Sequence, residues 1–275
     1  MRLQLGGIAV EALSVGGVET CFQLPDFGLC LDIGRCPEGA IGQDRLLLTH
    51  AHIDHAAGLP YYVSMRSMRH QSPPDIYCPA ASHPTLLKLL ETWSELQADT
   101  LQCRLVPVSA GEQIPLPNDS FAQVFASPHR IETNGYTLFR RIRKLKTEHR
   151  GKDGAEIARL ARTGSNIHDV VERAELCFPG DTTIDVLDVE PTVTTARVLF
   201  LECTFMGPDK QPEEARRGGH IHLDQIAAQA ERFQNEHILL THFSKRYSAS
   251  QIRSEVARKL PKSLLERVEL LIHEP

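Results

Sequence analysis

The chain has 275 residues, 41% hydrophobic and 24% charged, enough to bury a large core as one domain or two tightly fused ones. Its net charge of −5 gives no global sign of a nucleic-acid partner, so any such affinity has to come from a local patch. The N-terminal run lacks the layout of a signal peptide, no stretch approaches the roughly 18 apolar residues of a membrane span, and the odd number of cysteines shows no paired spacing. The expectation is a soluble protein in a reducing, cytoplasmic setting, with no membrane partner and with its thiols mostly in the core.

Apolar runs of strand length recur along the chain, and several end on a polar residue. DRLLLT (44–49) runs into His50, FAQVFASP (121–128) into His129, ELCFPG (175–180) into Asp181, RVLFL (197–201) into Glu202 and HILLT (237–241) into His242. Short runs rich in Leu, Val and Phe, bounded by Gly or Pro, favour buried strands. Helical spacing is present at 82–96, 153–163, 223–235 and 248–260, with Ser82, Asp153, Asp224 and Ser248 as N-cap candidates. Trp93, the single tryptophan, is read as a core residue of the first of these helices. No short-period repeat or low-complexity segment is present. Two mostly β halves, each covered outside by helices, predict an α/β fold built as a four-layer sandwich.

The loop after the first of these strands holds His50, His52, Asp54 and His55 within six positions. Imidazole suits zinc, while carboxylate suits harder ions and can bridge two metals or orient a water. His129, Asp181 and His242 sit at three other strand ends, which makes seven candidate ligands, enough for two ions sharing Asp181. Such a pair lowers the pKa of a water and clamps a phosphoryl group from both sides.

HAHIDH, the later His129, GDTT, ECTF followed by GGHIH, and LTHFSKRY, in that order, resemble the metallo-β-lactamase superfamily and, within it, the ribonuclease Z family of tRNA 3′-processing endonucleases. The resemblance runs from FGLCLDIG (27–34) to Arg246 and Tyr247. The stretch from Gly135 to Ile167 is similar to that of the short plant-type members. HxHxDH alone marks only the superfamily, whereas ECTF…GGH with THFSKRY is far more specific.

The resemblance implies the metallo-β-lactamase αββα sandwich and two Zn2+ ions per chain, with Mn2+ as a substitute. It places His50, His52 and His129 on one ion, Asp54, His55 and His242 on the other, and Asp181 between them. Asp54 counts also among the catalytic groups, since a carboxylate can orient a water. Asp32 matches the aspartate that supports the ligand loop from behind; read alone, it is equally an ordinary turn residue before Gly34. Expulsion of a ribose 3′ oxygen benefits from a proton. His220, paired with Glu202, matches the group that supplies it, with His222 as the nearest alternative. Leu201 stands where the bacterial motif has another residue, but the glutamate is in place. Arg246 matches a contact to the scissile phosphate; on its own it reads as a surface arginine before a helix.

The segment 140–152 carries seven Lys or Arg against one Glu. It is either a solvated helix face or loop, or a surface for RNA phosphates through Arg140, Arg141, Arg143, Lys144 and Lys146. Its place between His129 and Asp181 matches the family's substrate-binding arm, here shortened to about 140–173 of one domain spanning 1–275. The resemblance further implies precursor tRNA as substrate and a homodimer, with a helix near 59–69 as its interface. Two rivals remain at this level: a hydrolase of a small ester, thioester or sulfate, and a non-catalytic metal-bearing RNA-binding protein. A large inserted cap, of roughly 150 residues, has no room between the motifs.

Overall fold

The computed structural model describes residues 1–163 and 166–273, so positions 164 and 165 of the basic arm lie outside the described residues. Fourteen strands among them form two seven-stranded sheets. The first sheet runs in sequence order: β1 (Arg2–Leu5), β2 (Ile8–Val15), β3 (Glu19–Leu24), β4 (Leu29–Leu31), β5 (Arg45–Leu47), β6 (Asp75–Pro79) and β7 (Arg104–Val108). The second has β8 (Gln113–Leu116), β9 (Ser120–Ala126), β10 (Asn134–Leu145), β11 (His168–Phe178), β12 (Val198–Glu202), β13 (His237–Thr241) and β14 (Val268–Leu270), again in sequence order.

Alternation along each strand builds the layers. Leu29, Leu31 and Leu47 face inward and meet Phe178, Phe200 and Leu239 of the other sheet. Their neighbours Cys30 and Leu46 face outward, under α2 (Leu59–Met68) and α3 (His83–Gln97). On the other side, Leu199, Leu201, Ile238 and Leu240 face outward under α5 (Val186–Val189), α6 (Thr192–Thr195), α8 (Leu223–Ala228), α9 (Ala249–Lys259) and α10 (Lys262–Leu265). The remaining helices α1 (Ile53–Ala56), α4 (Gly154–Arg162) and α7 (Pro212–Arg217) lie in the connections. The result is the expected αββα sandwich. Phe22, from the first sheet, packs against Phe178 and Phe200 at ring-centroid distances of 5.1 and 4.9 Å.

Strand direction decides where the polar strand ends go. β4 and β5 are parallel, as are β11, β12 and β13. β9 and β11 are each antiparallel to β10, so β9 runs with them. Carboxyl ends of β4, β5, β9, β11, β12 and β13 therefore lie on one edge of the sandwich, where irregular loops can converge.

Several local expectations change. Trp93 is not in the core: it is 47% exposed on α3, because the buried stripe of that helix is Leu86 and Leu90. Asp224 is not the cap of α8; the His222 side chain accepts from the Asp224 N–H, and the helix ends after six residues, short of the expected 235. Ser82 occupies the cap position of α3 without a side-chain bond, whereas Asp153 and Ser248 cap α4 and α9 as expected. The basic run begins as strand, since Arg140, Arg141, Arg143 and Lys144 belong to β10, and only the residues beyond Leu145 form a turn.

Candidate active site

Seven side chains from both sheets meet at the shared edge. His50, His52, His129 and Asp181 form one group whose ligand atoms lie within 4.8 Å of one another; Asp54, His55 and His242 form a second. Asp181 lies between them, with Oδ2 3.8 Å from His50 Nε2 and Oδ1 3.4 and 3.3 Å from the Nε2 atoms of His55 and His242.

The atoms behind the cluster fix which nitrogen of each ring points inward. Asp32, directly after β4, accepts from the N–H of Thr49 at 2.7 Å, from its hydroxyl at 2.8 Å and from His55 Nδ1 at 2.8 Å. Having given its proton to Asp32, the Thr49 hydroxyl accepts from His50 Nδ1 at 3.0 Å. The same logic holds across the site: Thr204 donates to Glu202 at 2.6 Å and accepts from His242 Nδ1 at 2.9 Å. His129 Nδ1 donates to the Gly219 carbonyl at 2.7 Å. In each ring Nε2 is left as a lone pair facing the cluster.

That arrangement suits cations. His50 Nε2 and His129 Nε2, both acceptors, stand 2.9 and 3.3 Å from His52 Nδ1. Nε2 of His55 is buried with no hydrogen-bond partner among the described residues, which costs free energy unless something binds it. Burial pushes His50, His52 and His129 below the ordinary imidazole range, which keeps them in the neutral form a metal needs. A set of imidazole nitrogens and carboxylates is chemistry that zinc accepts.

Two backbone features carry this geometry. Asp32 and His242 have positive φ, 54° and 60°, uncommon for residues with a Cβ and a form of strain that clusters at functional sites. At Gly219 (φ 83°) a Cβ would stand 2.6 Å from His129 Nδ1, so only glycine lets that carbonyl reach the ring.

Beside the cluster, Glu202 is buried and accepts five hydrogen bonds: one from His220 Nδ1 at 2.9 Å, two from Thr204, and one each from the N–H groups of Thr182 and Ile221. Burial pushes the His220 imidazole down, but the charge and hydrogen bond of Glu202, with Asp181 behind them, outweigh it and raise its pKa to about 9. His222 is committed elsewhere, accepting from Asp224 and facing the Gly207 carbonyl at 3.2 Å.

Over 97% of its length the chain is 39% identical to "tRNase Z TRZ1" of Arabidopsis thaliana, covering 95% of that protein. The chain belongs to the tRNase Z family. A second relative, "tRNase Z TRZ2, chloroplastic" of the same plant, is 36% identical over 93% of this chain and 73% of its own length. Residues 37–243 match the family model "Beta-lactamase superfamily domain". Among solved structures, the metallo-beta-lactamase fold protein YhfI of Bacillus subtilis superposes with a TM-score of 0.64 at 14% identity, covering 95% of each chain, which bears on the fold alone.

Of the other residues singled out in this tRNase Z family member, Arg246 lies at the rim, where it pairs with Asp209 at 2.7 Å and stands 5.2 Å from the Phe205 ring centroid. The basic run is far from the metal cluster. Lys144 stands opposite Asp169 of β11 in the strand register, nine residues before the Phe178 end that leads to Asp181, or about 30 Å at the usual strand rise. Arg140 lies over Phe27, and Arg141 lies over Phe121 and pairs with Glu172; among the described residues no ion pair is formed by Arg143, Lys144 or Lys146. Sequence reading missed Thr49, Thr204, Gly219 and Gly17, whose N–H donates to Asp54 at 2.9 Å. The threonines did carry a signal: each stands next to, or two residues after, a polar strand end.

Proposed function

We propose that this protein is a zinc-dependent endoribonuclease that removes the 3′ trailer of precursor tRNA. It hydrolyses the phosphodiester after the discriminator nucleotide and leaves a 3′-hydroxyl. The near full-length match to a tRNase Z carries the reading. The Glu202–His220 contact at 2.9 Å beside the metal cluster supports it over hydrolysis of a small ester, and the complete ligand set supports it over a non-catalytic RNA binder.

In this reading His50, His52 and His129 would hold one zinc and Asp54, His55 and His242 the other, with Asp181 shared by both. When bound, the two ions supply Lewis acidity to a water and to the phosphodiester, a role Mn2+ can also fill. Asp54 orients the water and takes up its proton. The water oxygen bonds to phosphorus as the bond to the ribose 3′ oxygen breaks, and His220, its Nδ1 held by Glu202, gives that oxygen a proton. The products are a 3′-hydroxyl on the tRNA and a 5′-phosphate on the trailer. Arg246 offsets charge on the scissile phosphate.

Arg140, Arg141, Arg143, Lys144 and Lys146, on a short arm spanning about 140–173 of a single domain, receive the tRNA body through its phosphates. A homodimer forms through α1, α2 and α3, where Ile53, Tyr61, Trp93 and Leu96 leave an apolar face open around a cavity of about 410 Å3. All seven cysteines are free thiols, in keeping with a reducing, cytoplasmic setting. Among the described residues no helix is long and apolar enough to cross a membrane.

The test is cleavage of a 5′-labelled precursor tRNA by zinc-loaded protein. A single cut after the discriminator base supports the reading, and activity on small esters with no cut in RNA would overturn it.

A further inference from the structure

The loop that follows Glu202 carries a group that the proposed mechanism does not use. Phe205 lies alongside the His220 segment: its N–H donates to the Ile221 carbonyl at 3.2 Å, and its carbonyl accepts from Leu223 at 2.8 Å. The Phe205 ring meets the His220 ring edge-on, with centroids 5.9 Å apart. Two cations stand on that same ring, Arg246 at 5.2 Å and Lys210 Nζ at 5.5 Å. Asp209 neutralises only one of them, because its Oδ2 takes Arg246 and its Oδ1 accepts from the Tyr247 hydroxyl at 2.9 Å. Lys210 forms no ion pair with a carboxylate among the described residues.

Two like charges drawn to one aromatic ring repel each other, and the quadrupole of the ring offsets this only weakly at an exposed site. An anion on Lys210, the cation that Asp209 leaves without a carboxylate, relieves the repulsion. The reaction supplies such an anion in a defined place. His220 protonates the 3′ oxygen of the discriminator ribose, so the RNA next to His220 is that nucleotide, and its own 5′ side carries the next phosphate.

We propose that Lys210 binds the RNA phosphate on the 5′ side of the discriminator nucleotide, using Phe205 as the platform that sets its distance from His220. The assignment rests on the reading of the site as a tRNA 3′-end nuclease. Lys210 is a positioning residue: it fixes the nucleotide whose 3′ oxygen leaves, and Arg246 keeps the scissile phosphate.

The experiment pairs two variants with two substrates, using zinc-loaded protein and a 5′-labelled precursor tRNA. One substrate is natural; the other carries a neutral methylphosphonate at the phosphate 5′ of the discriminator nucleotide. On the natural substrate Lys210→Gln is expected to raise KM about threefold to tenfold and to reduce the slope of log KM against log salt by about one phosphate's worth. Lys210→Arg, which keeps the charge, is expected to restore both. On the methylphosphonate substrate Lys210→Gln should add no further penalty. A penalty of the same size on both substrates, or a salt slope unchanged by Lys210→Gln, would overturn the assignment. Failure of the wild-type protein to cut the natural precursor would instead strike the underlying function, so the two failures are distinguishable.

Discussion

Glu202 and His220, eighteen residues apart in sequence, meet through Oε1 and Nδ1 at 2.9 Å, while four further hydrogen bonds hold the carboxylate in place. A carboxylate fixed in this way both orients the imidazole and favours its protonated form. Replacement of His220 by Ala is expected to lower kcat by roughly 10²–10⁴-fold, as loss of a general acid does, with zinc content retained. His222→Ala, which removes the cap of α8, is expected to lower thermal stability and leave turnover within a few-fold of the wild type. Turnover and metal content of the two variants separate these outcomes; the reverse pattern would make His222 the acid.

The same pair sets the basic limb of the pH profile. An acid whose pKa is raised stays protonated below that pKa and is lost as pH rises through it. With Asp181 committed to metal, its share of the shift falls away, so the limb is expected between the ordinary 6.5 and about 9. Glu202→Gln removes the carboxylate charge and is expected to move the limb to lower pH. An unmoved limb in that variant, from rates across about pH 6–10 with zinc saturating, would assign it to another group.

Asp32 hydrogen-bonds one proposed metal ligand directly among the described residues, His55, and through Thr49 it also aims His50. Partners of this kind are worth about 10- to 100-fold in metal affinity, and Asp32→Asn is expected to weaken zinc binding by that order. Competition against a chromogenic chelator measures it. Full removal of zinc by a chelator should abolish cleavage, and activity in metal-free protein would end the mechanism.

The basic run divides by what its side chains already touch. Among the described residues Arg143, Lys144 and Lys146 form no ion pair, whereas Arg140 and Arg141 pack on Phe27 and Phe121. Changing the first three to Gln is expected to flatten the salt dependence of precursor tRNA binding, by at most about 0.9 log units per log unit of salt for each phosphate no longer neutralised. Changing Arg140 and Arg141 should lower the melting temperature as well, because their guanidinium groups lie over the two rings. Equal salt slopes for the wild type and the triple variant would leave the run as solvated surface.

The exposed face of α3 offers a separate check. Trp93→Glu places a charge where an apolar interface would form, and is expected to shift the protein from dimer to monomer in sedimentation with little loss of fold. A wild-type monomer would remove the dimer altogether.

The sequence by itself determined which polar residues stand at the strand ends and cluster there. Apolar runs ending on His50, His129, Asp181, Glu202 and His242 are legible because a buried strand and a polar terminus differ sharply in composition. The αββα layering followed from the alternation of strand and helix. What only the tertiary structure decided is everything that depends on two distant segments meeting. Trp93 looked like core because helical spacing cannot say which apolar stripe of α3 turns inward; Leu86 and Leu90 take that place. His222 and His220 have the same local spacing, and only the position of Glu202 on β12 selects between them. Thr49 and Thr204 offered only their place beside a polar strand end, since a hydroxyl acquires its role from the carboxylate it donates to and the imidazole it accepts from. Residue type fixes what a side chain can donate, accept or bind; the converging strand ends fix what it meets.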